Sequence, residues 1–324
     1  MMTWLLRRLG QALLIVLAMT IIVFVGVNVI GDPIDVLVPP DADQAERARA
    51  IVALGLDKPL WEQYLRFLLG VLQGDLGRSF VYNEPALELI GKRLPATMEL
   101  AVTAVLLSIV IGIPLGMFAG LKPDSLLARA IMAGSILGFS LPTFWVGLML
   151  IMVFAVQLGW LPSTGRGETA ALFGIQWSFL TRDGLAHMLL PALNLALGNI
   201  ALVLRLTRAG VRENLQLEYV KFARAKGLSP ARVLFVHVMK NIMIPIVTVI
   251  GLEFGSVIAF AVVTETVFAW PGMGKLIIDS INVLDRPVIV AYLMMIVFLF
   301  VAINLLVDLL YTVLDPRVRL ETKE

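Results

Sequence analysis

LGQALLIVLAMTIIVFVGVNVI, residues 9–30, holds no charged side chain, and its polar ones are Gln11, Thr20 and Asn28. Coiled as a helix at about 1.5 Å per residue, the stretch is about 33 Å long, and a bilayer's hydrocarbon core is about 30 Å thick. It reads as a membrane span. Working outward, comparable runs cover 100–121, 130–161, 184–204, 242–264 (broken by Glu253) and 288–307. The whole chain of 324 residues is 59% hydrophobic and only 15% charged, with mean hydropathy +0.90. Soluble domains carry about 25% charged residues. The expectation is an all-α polytopic membrane protein with six transmembrane helices, near 9–30, 98–121, 130–158, 186–205, 242–266 and 288–312.

Arg7 and Arg8 before the first run resemble the start of a secretory signal. A signal's apolar region runs about 7–15 residues, and no small-residue cleavage pattern precedes Gly31. The first span therefore reads as a retained anchor. Orientation follows from the basic residues. With six spans, the N-terminus, 122–129, 205–240 and the C-terminal tail share one side and hold 15 of the 26 Lys and Arg. The opposite side is nearly twice as long and holds the other 11. The denser side is cytoplasmic by this rule, which puts both termini inside and the segment 31–96 outside.

That external segment reads as helical: Asp41 can cap a helix ending near Gly55, Lys58-Pro-Leu starts another, and Asn83-Glu-Pro a third. Amphipathic helices packed on the membrane domain, or a docking surface for an external partner, both fit it. Glycines recur four apart at Gly112, Gly116 and Gly120, at Gly134 and Gly138, and at Gly251 and Gly255. In lipid such spacing permits close helix contact, within the chain or between subunits. Pro114 and Pro142 lie inside runs and are expected to kink them.

Several chemistries are excluded by absence. Gly91-Lys92-Arg93 and Gly274-Lys275-Leu276 both lack the Ser/Thr of a nucleotide-binding P-loop. The chain has no cysteine, no G-x-S-x-G and no H-E-x-x-H; His187 and His237 stand 50 residues apart. We expect no catalytic residue, cofactor or metal in this chain, and no nucleic-acid partner.

The most basic interruption is EYVKFARAKGLSPARVLFVHVMKN at 218–241, with Lys221, Arg224, Lys226, Arg232 and Lys240. Glu218 to Lys226 reads as a short helix, closed by Gly227 in a left-handed conformation. Ser229 then caps a second helix with Pro230 at its first position. Ala223, Ala225 and Gly227 keep the turn slim, while Tyr219, Phe222 and Leu228 offer apolar anchors. Such a unit suits a groove on another protein; a basic helix resting on anionic lipid is the alternative.

FARAKG at 222–227 resembles the cytoplasmic loop of ABC-importer permeases of the dipeptide/oligopeptide class, B-type subunit. So do GDP at 31–33, LGLDKPLWEQY at 54–64, GDLGRSF at 74–80, LPTFW at 141–145, TETVFAWPGMG at 264–274 and LLVDLLYTVLDPRVR at 305–319. The resemblance spans nearly the whole chain. It implies the type I ABC importer permease fold in a bacterial cytoplasmic (inner) membrane, and a single permease domain whose loop 205–241 carries a coupling helix. It implies as partners a second, similar permease, two cytoplasmic ATPase subunits that bind ATP and magnesium, and a periplasmic or extracellular binding protein. By that likeness, Glu218, Tyr219, Phe222, Ala223, Arg224, Ala225, Gly227 and Leu228 form the ATPase-docking surface. One departure is that Lys221-Phe222-Ala223 stands where the wider importer signature reads Glu-Ala-Ala; Glu218 or Arg224 is expected to replace the glutamate's contacts.

The expected cargo is a di- or oligopeptide, with glutathione or nickel as alternatives. The rival class is a gradient-driven secondary transporter with Glu253 as its ion site. A carboxylate inside a span is costly and needs a partner or a wet path. Glu253, Glu265 and Asn194 are the candidate pathway or gate positions; for Glu253 a packed polar contact between helices is expected ahead of a substrate contact or gate, for Glu265 a hinge or solvated helix end, and for Asn194 a bond between helices.

Overall fold

The computed structural model describes residues 2–29, 43–53 and 55–314. Asp41, the stretch 31–33 and the end of the tail motif at 315–319 lie outside the described residues. In chain order the helices are α1 (Met2–Val29), α2 (Gln44–Ala53), α3 (Leu60–Gln73), α4 (Ala86–Leu121), α5 (Leu126–Ser140) and α6 (Thr143–Gln157). After a small hairpin, β1 (Ala170–Leu172) paired antiparallel with β2 (Ile175–Trp177), come α7 (Arg182–Asn214) and α8 (Glu218–Ala225). Then follow α9 (Pro230–Val267), α10 (Met273–Asn282) and α11 (Arg286–Leu314). Five of these, α1, α4, α7, α9 and α11, are long and apolar enough to cross a bilayer, and the bent pair α5–α6 makes a sixth candidate.

The third expected span is broken. α5 and α6 meet at 111° across Leu141-Pro142. Leu141 sits in extended backbone, φ −82° and ψ 139°, because the ring of Pro142 crowds the helical conformation of the residue before it. Pro114 has no such effect: α4 continues through it and through Pro95 as one helix of 36 residues. The external helix expected from Asn83 and the span expected from 98 are therefore a single element, held by a continuous buried face of Leu89, Ile90, Ala96, Leu100 and Ala104.

The chain divides into two compact units, Met1–Pro95 with Pro271–Ala302 and Ala96–Trp270 with Ile303–Glu324. In the first, Asp43 caps α2 by accepting from the Glu46 N–H at 2.6 Å. α3 packs on α1 through Tyr64 and Phe67. The Phe24 ring lies 5.4 Å from that of Tyr64 and 5.9 Å from that of Phe67, and the Tyr64 and Thr20 hydroxyls are 2.9 Å apart. Between α3 and α4, the loop GDLGRSF is pinned by Asp285, whose fully buried carboxylate accepts from the Ser79 hydroxyl and the Phe80 N–H.

In the second unit, the α4 glycines face α7. A Cβ on Gly112 would meet Val203 at 3.0 Å, one on Gly116 Thr207 at 2.7 Å, and one on Gly120 Val211 at 2.9 Å. Gly251 likewise sits on Val307, at 2.7 Å. These glycines serve packing within the chain. Gly134 and Gly138 on α5 have nothing within 4 Å.

Candidate docking segment and buried polar positions

α7 ends at Asn214, whose amide oxygen accepts from the Tyr219 hydroxyl at 2.6 Å and fixes the entry into α8. α8 ends in the turn its sequence demands. The Gly227 N–H donates to Arg224 O at 2.9 Å, the Leu228 N–H to Ala223 O at 3.3 Å, and Gly227 takes φ +73°. Ser229 caps the next helix through the Arg232 N–H, with Pro230 at its start. The helix, left-handed glycine and helix expected from the sequence are all present.

The two faces of α8 are now distinguishable. Val220 and Ala223 point inward, into a cluster with Val211, Val233, Leu234 and Ile242, and Tyr219 and Leu228 pack against the same cluster. The small side chain at Ala223, expected on the docking surface, is accounted for by this intrachain packing: only 5% of the residue is exposed. Of the three apolar anchors expected, Phe222 alone faces out, 61% exposed, with Lys226 Nζ 4.5 Å above its ring. Around it lie Glu218 and Lys221, paired at 2.7 Å, and the exposed Arg224 and Ala225. The outward surface is therefore one aromatic ring set among charges. An exposed ring on a short polar helix adds little to its own fold, whereas at an interface a ring buries a large apolar area.

Within the spans the polar candidates separate. Asn194, 1% exposed on α7, donates to the Thr264 hydroxyl of α9 at 3.0 Å, as expected of a bond between helices. Its Oδ1 is buried without a partner. Glu265 is not a solvated helix end: it is fully buried, accepts from the Thr97 hydroxyl at 2.6 Å, and its own carbonyl accepts the Trp270 N–H at 2.8 Å. Those bonds close α9 onto the turn before Pro271. Glu253 differs from both, making no hydrogen bond or ion pair among the described residues. With Ser108, Asn199, Val203 and Val249 it lines a small cleft between α4, α7 and α9.

Two charged groups outside the sequence reading organise the loop before α7. Glu99, fully buried at its carboxylate, accepts from Arg166 Nη2 at 2.6 Å and Nε at 3.0 Å, and from the Ser178 N–H. The Arg166 guanidinium also lies 5.9 Å from the Trp270 ring, whose indole N–H donates to Ala96 O at 2.9 Å. Such a pair fixes geometry more than it adds stability, because desolvating both charges offsets their attraction. Nothing in the spacing of residues 67 apart signals it. His187 Nδ1 donates to Asp183 O at 2.9 Å, and no cluster of metal-binding side chains occurs among the described residues.

Comparison with solved structures places the fold. The chain superposes on the MetNI methionine ABC transporter in its inward-facing form with a TM-score of 0.53, at 16% identity, over 70% of this chain and 96% of that one. The architecture is that of a type I ABC importer permease. Residues 112–320 match the family described as "Binding-protein-dependent transport system inner membrane component", and residues 1–101 match its N-terminal companion. The dipeptide transport system permease protein DppB of Escherichia coli (strain K12) is 38% identical over 98% of this chain and 99% of its own length. The oligopeptide transport system permease protein AppB of Bacillus subtilis (strain 168) is 39% identical over the same shares. The glutathione transport system permease protein GsiC of Salmonella paratyphi A is 35% identical over 98% and 99%. The chain belongs to the family of binding-protein-dependent transport system inner-membrane components.

Proposed function

We propose that this chain is one of two homologous permeases that together line the membrane pathway of an ATP-driven importer of di- and oligopeptides. Cargo arrives on an external binding protein, and two cytoplasmic ATPase subunits, which hold ATP and magnesium, drive the cycle through α8. The observation that carries this reading is the helix–turn–helix at 218–241, with Val220 and Ala223 of α8 packed inward and Phe222 left outside. Full-length similarity to permeases named for dipeptides and oligopeptides supports the cargo class. Glutathione, itself a small peptide-like molecule, falls in the same chemical class.

The basic-residue asymmetry supports a cytoplasmic position for α8 and both termini. Glu253 is the pathway candidate, because an unpaired carboxylate inside a span needs water or a cationic partner that the described residues do not supply. The test is reconstitution of the four membrane and ATPase subunits in proteoliposomes with the binding protein. Peptide uptake is expected to require both ATP and binding protein, and to be absent with an ion or proton gradient alone. Uptake on a gradient without ATP would replace this reading with a secondary transporter.

A further inference from the structure

α3 carries more apolar surface than its contact with α1 uses. Along its 14 residues Tyr64, Phe67 and Val71 lie on one side, where Tyr64 and Phe67 meet Phe24. At helical spacing, Trp61, Leu65, Leu69 and Leu72 form a second stripe beside the first. All four are exposed: 65%, 48%, 56% and 76%. The polar residues are gathered on the remaining arc, where Arg66 pairs with Glu62 at 2.7 Å and the Gln63 amide donates to Lys58 O at 2.8 Å.

The depth of this stripe follows from its partner. α1 is a membrane span whose apolar stretch Leu6–Gly26 is only 11% buried by the chain, so most of its surface is left uncovered by the described residues. Its contacts with α3, at Phe24 and Thr20, lie six and ten residues inside the end of the uncharged run 9–30. At about 1.5 Å per residue these positions are about 9 and 15 Å below the end. An amphipathic helix lying in a membrane interface buries its apolar face about 5–10 Å below the headgroup boundary. A helix fastened at or below that depth, with four large apolar side chains beside the contact and its charges on another arc, has acyl chains as its surroundings. Tryptophan at the end of such a stripe suits the headgroup level.

We infer that α3 is a lipid-embedded interfacial helix: Trp61, Leu65, Leu69 and Leu72 contact the acyl chains of one leaflet and moor the segment between α1 and α4 to the bilayer surface. Assignment to the outer leaflet rests on the orientation proposed above; the lipid contact does not.

Because the chain has no cysteine, a single one can be labelled without background. Leu65→Cys and, separately, Leu72→Cys would carry bimane in the full-length chain, assembled with its partner subunits in nanodiscs. Glu46→Cys on the exposed surface of α2 is the reference. Phospholipid brominated in its acyl chains is expected to quench the label at 65 and 72 by about half or more, with iodide in the water having little effect there. The reference is expected to show the reverse. Iodide quenching at 65 and 72 equal to the reference, without bromolipid quenching, would overturn the inference, since the stripe then faces water. Protection from both quenchers would also overturn it, since a protein subunit then covers the stripe. Neither result touches the ATP requirement, which uptake measures separately.

Discussion

Gly116 and Gly227 are the same residue placed for opposite reasons. At Gly116 the backbone is ordinary α-helix and the space is missing: any Cβ would lie 2.7 Å from the Thr207 Cβ. At Gly227 the space is open, with nothing within 4 Å, and the backbone is the constraint, at φ +73°. Gly138 has neither constraint, being helical with nothing within 4 Å. A glycine in this chain therefore reports packing, conformation or an uncovered face, and only the structure distinguishes the three. The packed ones let α4 approach α7, and the left-handed one shapes the turn between α8 and α9.

Substitution separates these roles, and Gly116→Leu should have the largest effect. Overpacking a tight contact costs about 1–3 kcal/mol or more, and here the obstacle includes the α7 backbone, which cannot swing aside. We expect the purified protein to melt far below wild type or fail to accumulate. A wild-type melting curve would mean that α4 and α7 do not approach as described.

Gly227→Val comes next. A Cβ in left-handed backbone costs about 1–2 kcal/mol, more for a β-branched residue. The change lies outside the spans, so membrane insertion should be intact while α8 loses its fixed angle to α9. ATP hydrolysis should no longer respond to loaded binding protein, and uptake should fall with it. Insertion failure alongside lost transport would show that the turn supports the bundle and not only the coupling.

Gly138→Ala should have the smallest effect on the isolated chain. Alanine is favoured over glycine in a helix by up to about 1 kcal/mol, and no neighbour objects. Thermal stability of the single chain should hold or rise slightly. A drop would mean that Gly138 packs within the chain after all.

Much of this was legible beforehand because lipid imposes a coarse code. Uncharged runs of the right length gave the spans, and Gly227, Ser229 and Pro230 gave the turn, since each has a backbone requirement that is local in sequence. What escaped was set by distant partners. Ala223 looked like docking surface because smallness alone does not say which side is crowded; Val220 and Val233 decide it. Glu265 looked solvated because the hydroxyl that receives it, Thr97, is 168 residues away. The anchors Asp285 and Glu99 have no local signature, since each is defined by the loop it holds. The break at Pro142 and the continuity through Pro114 differ by neighbours, because a proline's missing bond is tolerated where surrounding helices hold the axis.

The central claim is that the outward face of α8 is an ATPase-docking surface, and it meets its most direct test at Phe222 and Arg224. The double variant Phe222→Glu, Arg224→Glu alters exposed side chains and leaves the inward cluster of Val220 and Ala223 untouched. In nanodiscs, the measurement is co-purification of the ATPase subunits together with ATP hydrolysis stimulated by loaded binding protein. The account predicts that the permease pair folds and inserts normally, that the ATPase subunits no longer co-purify, and that stimulation falls about tenfold or more, as expected when an interface's central ring is lost. Full co-purification with wild-type stimulation would contradict it.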